Sequence, residues 1–181
     1  MLTRAIYLLL LFMSVNCFSQ SASIYSVSSG RTAAGNIINF SSFSDKVILI
    51  VNTASANTRA DEETKQLKLL ANFYKDSGFV IVVYPSNDFN NEPKQNAALS
   101  ALYNSDSCFI IGERTTVTGA GMSPLYEWLS QQGKNGVASV AVKGDYQKYL
   151  ISRTGKLVGF FSKNISAGDP VLLRAISAQL H

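Results

Sequence analysis

Histidine is nearly missing from this chain: the single residue, His181, is the last one. Imidazole-based acid/base catalysis and His-rich metal centres are therefore all but excluded by composition. Cysteine is almost as scarce, with only Cys17 and Cys108. Charged residues make up 15% of the chain and the formal net charge is +4. That small basic excess comes from scattered lysines, which favours solubility and gives no nucleic-acid-binding stripe. No apolar run approaches the roughly 20 residues that a membrane-spanning helix needs.

What the first 19 residues do contain is the pattern of an export signal. Arg4 supplies the positive charge, Ala5 to Val15 is an almost unbroken apolar run, and small residues precede Gln20. Cleavage after Ser19 puts Cys17 at −3 and Ser19 at −1 and leaves residues 20–181 as one domain. Lipidation at Cys17 is disfavoured, because Asn16 stands where a small residue is expected. The expected location is periplasmic or extracellular, in a bacterium, with no stable membrane insertion once the signal is removed. The mature chain then carries Cys108 alone, so an intramolecular disulfide or dithiol cycle is impossible. Losing Arg4 also takes the net charge from +4 to +3.

The remaining order of elements reads as α/β. Ile24 to Val27 and Ile37 to Phe40 suit a small N-terminal β-hairpin turning near Gly35-Asn36. Val47 to Val51 and Phe79 to Val83 are short continuous apolar runs, as expected of strands buried on both faces. Between them, Leu67, Leu70, Ala71 and Tyr74 mark one face of a helix over Asp61 to Asp76, closed by Ser77-Gly78. Pro93 opens a further helix through Ala98, Ala101 and Leu102, and Cys108 to Ile111 is a short strand. Ser123-Pro124 caps a helix bearing Leu125, Trp128 and Leu129. Tyr149 to Ser152 and Lys156 to Phe161 form a hairpin about Thr154-Gly155, and Asp169-Pro170 starts a last helix. Strand, helix, strand, helix, then a hairpin and a closing helix gives a central mixed sheet with helices on both faces.

Several blocks then resemble one family in order and spacing. Ile24-Tyr25 is similar to an opening I-Y, and Lys46 to Ser55 (K-V-I-L-I-V-N-T-A-S) to K-V-L-L-I-V-N-V-A-S. Tyr74 to Phe79 resembles Y-K-D-K-G-F, and Tyr84 to Pro93 resembles F-P-C-N-Q-F-G-x-Q-E-P with one residue fewer. Ser123 to Tyr126 resembles H-P-L-Y, and Tyr146 to Lys156 resembles F-T-K-F-L-V-D-R-D-G-K. The family is that of the glutathione peroxidases, and the resemblance runs from about Ile24 to Phe161. It implies a thioredoxin-like fold, and peroxide reduction by a cysteine or selenocysteine set among a glutamine, a tryptophan and an asparagine.

At those four positions the resemblance breaks down. The loop Val51 to Asn57 resembles V-N-x-A-S-x-C, but the nucleophile position holds Asn57; the glutamine falls on Asp88, the tryptophan on Gly144 and the asparagine on Asp145. A carboxamide is not a redox nucleophile and has no sulfenic acid state. Ionised aspartates are acceptors only and oppose a thiolate or a departing hydroxide. Gly144 deletes a large ring, so a cavity or a collapsed wall is expected there. Asn57 near a helix start also suits plain capping. Cys108, with no cationic neighbour in sequence, reads as an inert buried thiol. Glu92-Pro93 and Ser123-Pro124 read as structural, and Trp128 as core.

These residues point to a family member without the thiol chemistry, a binding module for an unidentified ligand or protein partner, using no cofactor. Two enzymatic alternatives stand beside it. Asp88 and Asp145 could serve as acid/base groups or, with Asn57, as ligands to a hard cation, or Cys108 could carry residual peroxide reduction.

Overall fold

A computed structural model describes residues 23–28, 30–94 and 109–181. The leader, Cys17, Cys108 and the helix expected after Pro93 lie outside the described residues.

The molecule is built around β1 (Val47–Thr53), which is buried along its whole length. Alternation sends Val47, Leu49 and Val51 to one face and Ile48 and Ile50 to the other. Each face meets helices. The first packs on α1 (Ala60–Phe73) through Leu67 and Leu70, and on α4 (Pro170–Leu180) through Leu172 and Ile176. The second packs on α2 (Pro124–Ser130) through Leu125, Trp128 and Leu129, with Ile24 and Phe40 beside them. A four-residue helix, α3 (Gln132–Asn135), follows α2 and ends on left-handed Gly136.

Five strands form one mixed sheet in the order β3-β2-β1-β4-β5. β2 (Phe79–Pro85) is parallel to β1, and β3 (Ile110–Ile111) is parallel to β2. β4 (Lys148–Ile151) runs antiparallel to β1, and β5 (Leu157–Phe161) antiparallel to β4. This is the mixed sheet with helices on both faces that the sequence predicts, and its hairpin turns about Thr154-Gly155 as expected.

The caps follow local chemistry. Ser123 Oγ accepts from Tyr126 N (3.4 Å), and Asp169 Oδ1 accepts from Val171 N (2.8 Å). Three acidic residues, Asp61, Glu62 and Glu63, occupy the first turn of α1, where the helix dipole favours them. α1 stops three residues short of the expected Asp76. The Tyr74 ring turns instead onto Phe73 and Phe79, with centroids 4.8 and 5.6 Å away.

The N-terminal hairpin is smaller than the sequence suggests. Its pairing is the single bridge Arg31↔Ile37, with Gly35 at φ +90° in the turn. Of the two patches assigned to strands, Ile24 to Val27 is taken up by a 3-10 turn, Ile24–Ser26, and Ile37 to Phe40 contributes only Ile37 to the bridge before a second 3-10 turn, Phe40–Phe43. Side-chain caps decide both. Ser23 Oγ accepts from Tyr25 N (3.3 Å) and Asn39 Oδ1 from Ser41 N (3.1 Å), offering the backbone an alternative to a ladder. Tyr25 Oη also donates to Arg153 O (2.7 Å), docking the segment on the distant hairpin turn.

Candidate functional site

Because β1 and β2 are parallel and β4 returns antiparallel, three loops meet at one edge of the sheet: 54–59 after β1, 86–92 after β2, and 143–146 before β4. Ligands commonly bind at this carboxyl edge in open α/β sheets.

The loops are laced together by backbone and carboxamide groups. Asn52, at the end of β1, donates from Nδ2 to Gly144 O (3.0 Å) and accepts Tyr146 N at its own carbonyl (2.7 Å). Tyr146 is buried and holds a left-handed φ of +65°, unusual for an aromatic residue. Its hydroxyl donates to Ala54 O (3.0 Å), which fixes it against the loop after β1. Ala56 N donates to Asn91 O (2.8 Å), joining the first and second loops.

Asn57 and Asp145 come together as the resemblance implies. Asn57 Nδ2 donates to Asp145 Oδ2 at 2.9 Å, while Asn57 Oδ1 accepts from Arg59 N at 3.0 Å. The carboxamide thus closes a local turn just ahead of α1 and serves as an inter-loop donor. Asp145 is 4% exposed, and the same Oδ2 also accepts from Asn91 Nδ2 at 2.7 Å. Its other oxygen, Oδ1, is buried without a partner.

Asp88 is used differently. Its Oδ2 accepts from Val117 N (2.6 Å) and Thr118 N (2.9 Å), bracing the segment that leads into α2. Asp88 and Asp145, weighed with Asn57 as cation ligands, thus turn to different donors, Asp145 Oδ2 to the carboxamides of Asn57 and Asn91 and Asp88 Oδ2 to backbone N–H groups. Among the described residues, no group of three His, Cys, Asp or Glu is placed to hold a metal ion.

Gly144 leaves neither an open cavity nor a collapsed wall. The Lys163 side chain lies across it, so that a Cβ at position 144 would stand 2.6 Å from Lys163 Cδ.

Sequence reasoning missed three partners of these loops. Asn91 carries no signal that sets it apart from Asn87 and Asn90. Glu92, read as structural, is wholly buried and holds the loop after β1 by accepting from Ser55 N and Ser55 Oγ (2.7 Å each); Lys94 Nζ in turn donates to Ser55 Oγ (2.8 Å). Ser55, Asp61, Lys65 and Lys94 border a surface cleft of about 600 Å³ beside this loop.

The third is a buried ion pair beneath the site. Lys148, fully buried on β4, lies 3.1 Å from Glu63 on α1 and donates to Tyr146 O and Ile165 O (2.8 Å each). Arg59 forms a second, short ion pair with Glu63. Burial pulls the Lys148 ammonium below its ordinary pKa, Glu63 opposes that shift, and Arg59 adds to it. Glu63 was legible as an anomaly, since it sits on the same helix face as Ala60, Leu67 and Leu70.

With the geometry in place, comparison with known proteins is direct. The glutathione peroxidase family model matches residues 24–130. A glutathione peroxidase homolog BsaA of Halalkalibacterium halodurans is 35% identical over 142 residues, covering 76% of this chain and 88% of the relative. A probable phospholipid hydroperoxide glutathione peroxidase of Mesembryanthemum crystallinum is 32% identical, covering 75% and 81%. Among solved structures, T. cruzi GPX1 superposes with a TM-score of 0.70 at 26% identity over 88% of this chain and 97% of that one. A thiol:disulfide interchange protein of the thioredoxin family from Chlorobium tepidum shares the fold at TM-score 0.60 and 16% identity, covering 84% of this chain and 92% of that one. The chain belongs to the glutathione peroxidase family, on a thioredoxin-like α/β fold.

Proposed function

We propose that this protein is an exported member of the glutathione peroxidase family that has left thiol peroxidase chemistry and works by binding. The observation that carries the reading is Asn57. The residue at the nucleophile position is a carboxamide with its oxygen committed to Arg59 N and its nitrogen to Asp145 Oδ2. Such a group forms no sulfenic acid and offers no nucleophilic electron pair to a peroxide oxygen. Export rests on Arg4 and the apolar run Ala5 to Val15.

The test is peroxide consumption by the purified mature chain with a thiol reductant, with and without divalent cations. Relatives are named as peroxidases, so both hydrogen peroxide and a lipid hydroperoxide belong in the assay. Turnover no faster than free cysteine at equal concentration is expected. Turnover lost in Cys108→Ser would instead place the chemistry at that thiol, and turnover that survives this substitution would refute the reading altogether.

A further inference from the structure

Two surface cavities of opposite character meet on α1. The first is the cleft beside the loop after β1, about 600 Å³, whose charged lining among the described residues is Lys65, Lys68 and Lys94 against Asp61. The second, about 450 Å³, is an apolar groove between α1 and the start of α4, lined by Leu69, Leu70, Phe73, Tyr74, Ala167 and Leu173, with no charged side chain among the described residues that border it. Both have the size of small-molecule sites, about 300–1,000 Å³. Leu69 lines both, so the two are continuous across one side chain. Lys65, Leu69 and Phe73 follow at four-residue spacing on one ridge of α1, which passes from charge to hydrocarbon within about 12 Å.

The ridge is open at both ends. Leu69 and Phe73 are 62% and 77% exposed, and large apolar side chains exposed beside a groove mark a binding surface. Lys65 and Lys94 form no ion pair among the described residues. Lys94 is nonetheless placed: its Nζ donates to Ser55 Oγ (2.8 Å), and that hydroxyl donates to buried Glu92 (2.7 Å). Gln66 braces the groove, since its Oε1 accepts from Gly168 N (3.0 Å) and ties α1 to the segment ahead of α4.

We propose that this ridge and its two cavities bind a single-chain anionic amphiphile, a free fatty acid, with its carboxylate between Lys65 and Lys94 and its alkyl chain crossing Leu69 into the groove against Phe73. This rests on the binding reading above and gives it a ligand class, at a place on the flank of α1 that uses none of Asn57, Asp88, Gly144 or Asp145. The carboxylate takes charge-assisted hydrogen bonds from the ammonium groups, and the chain removes Leu69 and Phe73 from water. A cationic head is repelled from the lysine end, and an anion without a chain gains only a screened surface attraction.

The probes are decanoate, octanoate, acetate and decyltrimethylammonium, each kept below its micelle concentration and titrated calorimetrically into the mature chain at matched ionic strength. Decanoate should bind saturably at one site, and octanoate, two methylenes shorter, about tenfold more weakly. Acetate and decyltrimethylammonium should each bind more weakly than decanoate by about tenfold or more. Lys65→Gln with Lys94→Gln should erase the preference for decanoate over decyltrimethylammonium. Leu69→Gln with Phe73→Gln alters two exposed side chains, so circular dichroism should be unchanged while the step between decanoate and octanoate collapses. Absence of saturable decanoate binding, equal affinity for the two decyl probes, or a chain-length step that survives Leu69→Gln with Phe73→Gln would overturn the proposal. So would binding confined to anionic phospholipid vesicles, which would make the ridge a membrane contact instead of a site for one molecule. Peroxide turnover by the wild type would sink the non-catalytic reading whatever these probes do, so the two failures are distinguishable.

Discussion

At position 57 the geometry forecasts what a restored thiol would meet. Asn57 Nδ2 lies 2.9 Å from Asp145 Oδ2, so a sulfur placed there would face an acceptor-only carboxylate that is itself buried. Like charge and desolvation both disfavour a thiolate. In a Cys108→Ser background, Asn57→Cys should fold and yet alkylate with iodoacetamide more slowly than free cysteine at pH 7. Adding Asp145→Asn should speed alkylation by about tenfold, the effect of lowering a thiol pKa by one unit while it remains above the ambient pH. Equal rates in the two variants would show that Asp145 does not set the electrostatics of this position. A second residue-scale expectation concerns Tyr126, whose hydroxyl is buried without a hydrogen bond. Tyr126→Phe removes that unsatisfied group at almost constant volume and should raise stability by about 1 kcal/mol, read from the urea midpoint.

At the scale of elements, α1 and β4 are joined by a charge pair under the candidate site. Lys148 is fully buried and Glu63 nearly so, and their attraction offsets the cost of removing both from water. Removing one partner strands the other. Glu63→Leu or Lys148→Met alone should destabilise by about 3–5 kcal/mol, whereas the double substitution should recover most of that loss. Additive losses in a double-mutant cycle would mean that the two residues do not act as a pair. Because Lys148 also donates to Tyr146 O, its single substitution should in addition loosen the left-handed turn at Tyr146, seen as faster amide exchange in the loop before β4. These elements also show what the sequence could and could not reveal. β1 and β2 were legible because a strand buried on both faces leaves an unbroken apolar run, and α2 and α4 because Ser123-Pro124 and Asp169-Pro170 announce their starts. The N-terminal patches misled, since Ile24 to Val27 alternates like a strand while the Ser23 cap that bends it is a one-atom effect. Asn57 and Asp145 were placed together by resemblance alone; Asp88 was not distinguishable from them, because the direction in which a loop carboxylate turns is fixed by the backbone donors it finds at Val117 and Thr118. Asn91 and Lys148 carried no signal because their roles depend on residues far away in sequence.

For the molecule as a whole, the second face of the sheet carries a row of buried tyrosines that should govern its behaviour at high pH. Tyr84, Tyr126 and Tyr149 are stacked edge to face, with successive centroids 6.1 and 6.2 Å apart. Burial raises all three phenols above their ordinary value; Glu113 adds to the shift at Tyr84, and neighbouring tyrosines and Asp88 add to it at Tyr126, while a hydrogen bond from Gln147 opposes it at Tyr149. A group whose pKa is higher in the folded state stabilises fully below its unfolded pKa and loses that contribution as pH rises. The unfolded chain releases these protons near pH 10, the folded chain later, so the folded state binds more protons in the interval and stability falls with increasing pH. Lys148 works in the opposite sense: its folded pKa is lowered, so the unfolded chain binds the extra proton and stability rises with pH up to about 10.4. The two contributions separate on the pH axis, with the lysine acting below and the three phenols above roughly pH 10. Urea midpoints measured from pH 8 to 11.5 should therefore hold or rise slightly to about pH 10 and then drop steeply. In Tyr126→Phe the drop should be shallower by the one proton removed, and in Lys148→Met the rise before it should disappear. A midpoint that stays level through pH 11.5 would show that the tyrosine row is not what limits this fold in alkali.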